Sequence, residues 1–462
     1  MNISAEVKSE NLFRLGKTAF SRREFLKTAG IASGVALLSS CNLLQKQMRP
    51  NVVLIVSDDQ AWDDYGFMGH EEIETPHLDR LASHSTLYPR GYVTAPLCCP
   101  SLASIVTGLY PHQHKITSND PPHVGNGPRY NPAEWPDQRR QLRREMISHI
   151  DEVATIPGLL QEQGYVSFQS GKWWLGNYSR GGFTHGMTHG DMDRGGRHGD
   201  EGLTIGREGL QPIYNFIEST GDSPFFVWYA PFLPHTPHNP PDRLLEKYRS
   251  RTDSIHVARY WAMCEWFDET CGELLNYLDT NNLSENTMVL YVCDNGWIQQ
   301  KNAPGYAPRS KRTPYEGGIR TPIMVRWPGH TNAQRDEVNL VSSIDIAPTI
   351  LRACGIEPAE SMHGVDLLDK DAVSERNAVF GAAYTHDAID VHEPRENLKY
   401  AYVISETWKL ILPAEPNVPN ETAELYHITE DPKEQRNLAE QHPEKVRELQ
   451  SRVRDWWPAA VS

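Results

Sequence analysis

The chain has 462 residues, a length that suits roughly three average domains, or one large α/β unit with a smaller companion. Hydrophobic residues make up 39% and charged residues 23%, a globular composition that excludes a disordered, collagen-like or multi-span membrane chain. Sixty acidic against 45 basic residues give a net charge of −15, which argues against a nucleic-acid partner and requires a local positive site for any anionic substrate.

Residues 1–41 read as an export signal. Ser21-Arg22-Arg23-Glu24-Phe25-Leu26-Lys27 precedes an apolar run at 31–38, too short for a stable membrane span but of the right length for a signal core. This is a twin-arginine pattern, and it predicts a periplasmic or envelope location. Leu38-Ser39-Ser40-Cys41 resembles a lipoprotein box, whose cysteine carries a lipid anchor. That anchor is the only membrane contact expected, and a plain free cysteine is the alternative.

Asn51–Ser57 is a continuous β-branched run, the pattern of a parallel strand buried on both faces, and Asp58-Asp59 follow at once. The arrangement recurs down the chain. Residues 165–170 lead into Gly171-Lys172, 225–230 lead towards His235, and 288–293 run into Asp294-Asn295. Open α/β sheets bind ligands at the carboxyl ends of their strands, so four strands ending in polar residues predict one site.

Asp58, Asp59, Asp294 and Asn295 offer only oxygen ligands, which suits a hard divalent cation such as calcium, with magnesium the other candidate. Clustered carboxylates repel one another unless a cation compensates them. Adjacent Asp residues cannot flank a sugar bond at the separation a paired-carboxylate glycosidase needs.

Other stretches read more plainly. The run Arg139-Arg140-Gln141-Leu142-Arg143-Arg144 reads as a solvated helix face before a groove for a polyanionic sugar. His185, His189 and His198 lie in a glycine-rich loop near Lys172 without metal-ligand spacing. Residues 260–278, with Trp261, Trp266 and Phe267, have the spacing of a core-facing helix. Cys99, Cys264, Cys271, Cys293 and Cys354 match no zinc motif and read as buried thiols. An α/β unit is expected over 50–371. A C-terminal unit over 372–462 follows, with short antiparallel strands at 379–383, 400–405 and 408–412 and a helix at 443–457.

The segment Cys98-Cys99-Pro100-Ser101-Leu102, continuing to Thr107-Gly108, resembles the signature of the formylglycine-dependent sulfatases of the alkaline phosphatase superfamily. Thr75-Pro76-His77-Leu78-Asp79, Tyr315-Glu316-Gly317-Gly318, Ser343-Ile344-Asp345 and Glu424-Leu425-Tyr426 carry the resemblance over nearly the whole chain. It implies an alkaline phosphatase-like fold: a large, mostly parallel sheet flanked by helices, with a smaller antiparallel-sheet-plus-helix subdomain. It places Cys98 on the residue oxidised to formylglycine by a maturing enzyme, and the metal ligands on Asp58, Asp59, Asp294 and Asn295, with Cys98 facing the cation. The anion-binding lysines fall on Lys172 and Lys311, and the histidine after the third strand on His235. The activity implied is hydrolysis of sulfate esters, with sulfated carbohydrate as the substrate partner.

Two positions depart from the family pattern, which has arginine at 102 and histidine at 174. Leu102 and Trp174 supply neither charge-assisted donor. The other readings are therefore a metal-dependent phosphoesterase of the same superfamily, or a catalytically silent sulfated-glycan-binding homologue.

Overall fold

The computed structural model describes residues 49–125, 129 and 131–461. The twin-arginine pattern and Cys41 lie outside them. Residues 49–462 form one compact unit. Its large sheet comprises β1 (Asn51–Ser57), β2 (Thr86–Tyr92), β3 (Val166–Gly171), β4 (His185–Gly186), β5 (Phe225–Ala230), β6 (Thr287–Cys293), β7 (Arg320–Arg326), β8 (Gln334–Arg335) and β9 (Val341–Ser342). The strand order is β4-β3-β5-β1-β6-β7-β2-β8, with β9 also paired to β2. Only β7 runs antiparallel to its neighbours, so the expected mostly parallel sheet is present.

Alternation along β1 shows how the layers form. Val52, Leu54 and Val56 pack on one face. That face carries α2 (Cys98–Thr107), α4 (Ile156–Glu162) and α7 (Ile346–Ala353), while Val53 and Ile55 face α1 (Pro76–Ser83), α5 (Gln211–Ser219) and α6 (Ile255–Thr280) on the other. Burial on both faces is why the strand reads as an unbroken apolar run. Between these elements, α3 (Asp137–Ser148) lies outside the sheet.

The smaller sheet is antiparallel, in the order β10 (Val379–Tyr384), β11 (Leu398–Ser405), β12 (Trp408–Pro413), β13 (Glu424–His427). Leu449 and Val453 of α8 (Pro443–Trp456) pack against Ala401, Val403, Leu410 and Leu425. Tyr92 and Val93, at the end of β2, join Val379 and Tyr402 in a shared cluster. All six cysteines among the described residues are free and buried.

Candidate active site

Four strands that lead to chemistry, β3, β5, β1 and β6, are contiguous in the sheet and parallel. Their carboxyl ends therefore share one edge, which the sequence pattern required. Asp58 and Asp59 follow β1, and Asp294 and Asn295 follow β6. The Asp294 N–H donates to Ser57 O at 2.9 Å, which ties the two loops together. Asp59 has φ 65, a left-handed conformation that non-glycine residues hold where surrounding contacts over-determine it. Here its N–H donates to Asp294 Oδ1 at 3.2 Å, and its Oδ1 accepts from Asn295 Nδ2 at 2.7 Å.

Gly171 at the end of β3 has φ +79, and a Cβ there would lie 1.9 Å from Ala230 O. Only glycine lets β3 and β5 approach this closely and turn the next side chain, Lys172, into the site. Lys172 Nζ donates to Asp58 Oδ1 and, at 2.9 Å, to Asp294 Oδ2. Lys311 Nζ lies 2.6 Å from Asp59 Oδ1 and 2.7 Å from its Oδ2.

Cys98 is the first residue of α2, whose amino terminus faces this cluster and whose dipole favours negative charge there. Pro100 lies in the first turn, where its missing N–H leaves no intrahelical bond unmade. The Cys99 N–H donates to Asn119 Oδ1 at 2.8 Å.

Donor atoms of Asp58, Asp59, Cys98 and His235 all lie within 4.8 Å of one another. The residues fit a divalent cation on three grounds. First, Asp58 Oδ2 and Asn295 Oδ1 are buried and take no hydrogen bond among the described residues, an arrangement that is costly without a cation. Second, three buried carboxylates face two ammonium groups, which leaves one uncompensated negative charge. Third, His235 Nδ1 lies 2.6 Å from Thr236 O, which can only accept, so Nδ1 carries the hydrogen and Nε2 its lone pair. That lone pair lies 3.3 Å from Asp59 Oδ2, so two electron-rich atoms face each other. His235 thus joins the cluster as a potential nitrogen donor, where sequence chemistry had counted only oxygens beside Cys98.

The electrostatics follow from burial. Asp58 is pushed well above the usual carboxylate range by desolvation, which Lys172 opposes and Asp294 reinforces. Asp294 is raised by the same desolvation, again against Lys172. Burial raises the Cys98 thiol to about 11, although Lys172 and Lys311 pull the other way. For Lys172, burial favours the neutral form, but Asp294 and Asp58 outweigh it and hold the ammonium charged. Burial, with Lys311 and Lys172 nearby, keeps the His235 imidazole well below its ordinary value and hence neutral.

The two departures from the family pattern have structural explanations. Leu102, one turn beyond Cys98, is 1% exposed and packs in the sheet-facing core. Trp174 is buried, with its ring 4.2 Å from Lys172 Nζ and 4.3 Å from Arg197 Cζ. Arg197 pairs with Asp120 through Nη2 at 2.7 Å and Nε at 3.2 Å.

The Arg139–Arg144 reading as a solvated face needs correcting. Arg139 and Arg143 of α3 are buried. Arg139 stacks 4.1 Å from the Trp135 ring, and Arg143 donates to Asn119 O at 2.7 Å and Trp174 O at 2.6 Å. Arg139 turns inward onto the ring of Trp135 just before the helix, and Arg143 onto carbonyls supplied by distant segments, neither of which local charge patterning reveals. Arg144 is exposed and follows the expected pattern.

A cleft of about 230 Å³ opens over the cluster, lined by Trp174, Arg197, His235, Trp297, Lys311 and Arg312 among others. Of the glycine-rich-loop histidines, His198 also lines it, whereas His185 pairs in β4 and is exposed. Sequence reasoning missed Asp120, Arg197 and Arg312. The signals available were the cation beside His198 and the arginine following Lys311. It also missed Asp64 and Tyr260, whose 2.5 Å hydrogen bond braces the loop after Asp59.

Comparison with known proteins agrees with the geometry. A family model described as Sulfatase matches residues 50–356. A second, N-sulphoglucosamine sulphohydrolase, C-terminal, matches 306–456. The N-acetylgalactosamine-6-sulfatase of Canis lupus familiaris is 30% identical over 366 residues, 69% of this chain and 65% of that protein. The match thus spans a little under two thirds of that relative's length. The N-acetylgalactosamine-6-O-sulfatase of Bacteroides thetaiotaomicron is 25% identical, covering 90% of this chain and 96% of the relative. Among solved structures, Ps i-CgsB in complex with k-i-k-neocarrahexaose superposes with a TM-score of 0.69 at 23% identity, covering 89% of this chain and 94% of that one.

Proposed function

The chain belongs to the sulfatase family of the alkaline phosphatase superfamily, and on that premise we propose that it is an exported sulfatase hydrolysing sulfate esters of carbohydrate. The observation that carries this reading is the convergence of Asp58, Asp59, Cys98 and His235 within 4.8 Å, with Lys172 and Lys311 paired to the same carboxylates.

Asp58, Asp59, Asp294 and Asn295 would hold a calcium ion as Lewis acid, and a formylglycine made from Cys98 by a maturing enzyme would supply the hydrated-aldehyde hydroxyl for attack on sulfur. Lys172 and Lys311 neutralise the sulfate oxygens in a buried setting, where fixed positive charge acts strongly. The α2 amino terminus adds its dipole on the same side. At the leaving side, the Lys311 ammonium and the His235 imidazole are the two groups able to hold the proton of the departing alcohol. Trp174 and Trp297 give the cleft aromatic walls suited to a sugar ring. The twin-arginine pattern in residues 1–41 supports a periplasmic or envelope location for this chemistry, where Cys41 would be the lipid attachment point.

A second reading, a phosphoesterase of the same superfamily or a silent glycan-binding homologue, draws on Leu102 and Trp174, which offer the reacting group neither guanidinium nor imidazole. Sulfate release from a panel of sulfated saccharides, run beside phosphate esters, separates the readings. Release from a saccharide supports the sulfatase. Phosphate release alone supports the phosphoesterase, and binding without release supports the silent homologue.

A further inference from the structure

Resting on the sulfatase reading, we propose that Arg197 and Arg312 form a second anion-binding position beside the sulfate cradle. The preferred substrate would then be a saccharide bearing another anionic group next to the scissile sulfate ester.

The lining of the cleft is the starting point. In a chain of net charge −15, its wall carries Arg197, Lys311 and Arg312 and no carboxylate among the described residues. The cradle itself accounts for Lys172 and Lys311, both bound to carboxylates on its floor, and these two lysines are the cations the Cys98 thiol feels most strongly. The two arginines are additional to them.

Arg197 is 9% exposed. Asp120 occupies its Nε and Nη2, while Nη1 has no hydrogen-bond partner among the described residues. Its charge nevertheless reaches Cys98, so the guanidinium stands beside the cradle. Asp120 and the Trp174 ring fix its orientation, leaving the Nη1 amino group for a ligand.

Arg312 is held by its backbone, with its N–H donating to Pro96 O at 2.8 Å, and its side chain makes only a 3.4 Å contact to Tyr306 Oη. No carboxylate pairs with it among the described residues. Arg312, which has no acidic partner among the described residues, and the unoccupied Nη1 of the Asp120-anchored Arg197 line a cleft that opens on a sulfate site, and together they match a ligand with more than one negative group.

The test uses calcium-loaded protein carrying unconverted Cys98, so that probes are not consumed, and isothermal titration calorimetry. The probes are inorganic sulfate, N-acetylglucosamine 6-sulfate with one anionic group, and two compounds with two: glucosamine 2-N,6-O-disulfate and a chondroitin 6-sulfate disaccharide, whose second group is a carboxylate. At least one two-anion probe should bind about tenfold or more tightly than the monosulfate, and whichever does so identifies the second group. Arg312→Gln and Arg197→Gln should each cut that advantage to within about threefold. Arg197→Lys should restore part of it, which a merely structural role would not produce. Equal binding of all three sugars, or an advantage that survives both substitutions, overturns this inference while leaving the sulfatase reading in place. Wild-type protein that does not bind inorganic sulfate overturns both.

Discussion

The ring of Trp174 lies 4.2 Å from the Lys172 ammonium and shares that ring with Arg197 at 4.3 Å. The indole, the strongest cation–π acceptor among the side chains, presents its π surface to two cations beside a cluster of carboxylates. Trp174→Leu should therefore cost more than the change in side-chain volume implies, about 3–5 kcal/mol for the lost packing and cation contacts together. Trp174→Phe, which keeps a ring, should cost less. Chemical denaturation gives the order wild type, Phe, Leu, and a Leu variant as stable as the Phe variant would refute the cation–π account.

Asp294 accepts from both Lys172 and the Asp59 N–H, so it holds a counter-charge and a ligand loop at once. Asp294→Ala should abolish high-affinity calcium binding, taking the ion count from one per chain to none by metal analysis. Wild-type protein that takes up no cation after calcium addition would contradict the site assignment.

Leu102 is packed against the sheet at 1% exposure. Leu102→Ala should cost about 2–5 kcal/mol, as large-to-small core changes do. Leu102→Arg, which inserts a guanidinium into that packed apolar core, should destabilise at least as much. An Arg variant with an unchanged denaturation midpoint would show that the pocket has room for the residue the family pattern carries.

Burial pushes Asp268 up to about 8, with Asp79 and Glu265 adding to the effect, while the Leu78 and His77 N–H groups oppose it. Because the folded value lies above the ordinary 3.8, the native chain keeps a proton that the unfolded chain has released between about pH 4 and pH 8. The stability from this group is complete below the lower limit and is lost as pH rises through that window. Asp268→Asn removes the ionisation, so the fall in Tm from pH 5 to pH 8 should be shallower than in wild type. Parallel curves would contradict it.

What the sequence revealed divides along physical lines. β1 and β5 were legible because strands buried on both faces are continuously apolar, and the polar residues at their ends stood out against that run. β2 was not, since Pro89 and Gly91 interrupt it and its pairing with β7 shifts register between Tyr88 and Gly91. β13, only four residues long, left too little periodicity to read. At the site, residues of strand ends and of the α2 signature could be found from local pattern. Arg143, Arg197 and Asp120 could not, because each acquires its role from a partner more than twenty residues away. The lysine pairing was also invisible: Lys172 and Lys311 already balance much of the acidic charge that composition alone had assigned to a cation.

The most direct test is sulfate release by protein produced with a formylglycine-maturing enzyme, measured together with the mass of the peptide containing Cys98. The account predicts that the peptide carries the aldehyde in place of the thiol, that at least one sulfated saccharide loses sulfate, and that Cys98→Ala abolishes the reaction. Fully converted protein that releases no sulfate from any saccharide while cleaving phosphate esters would contradict it.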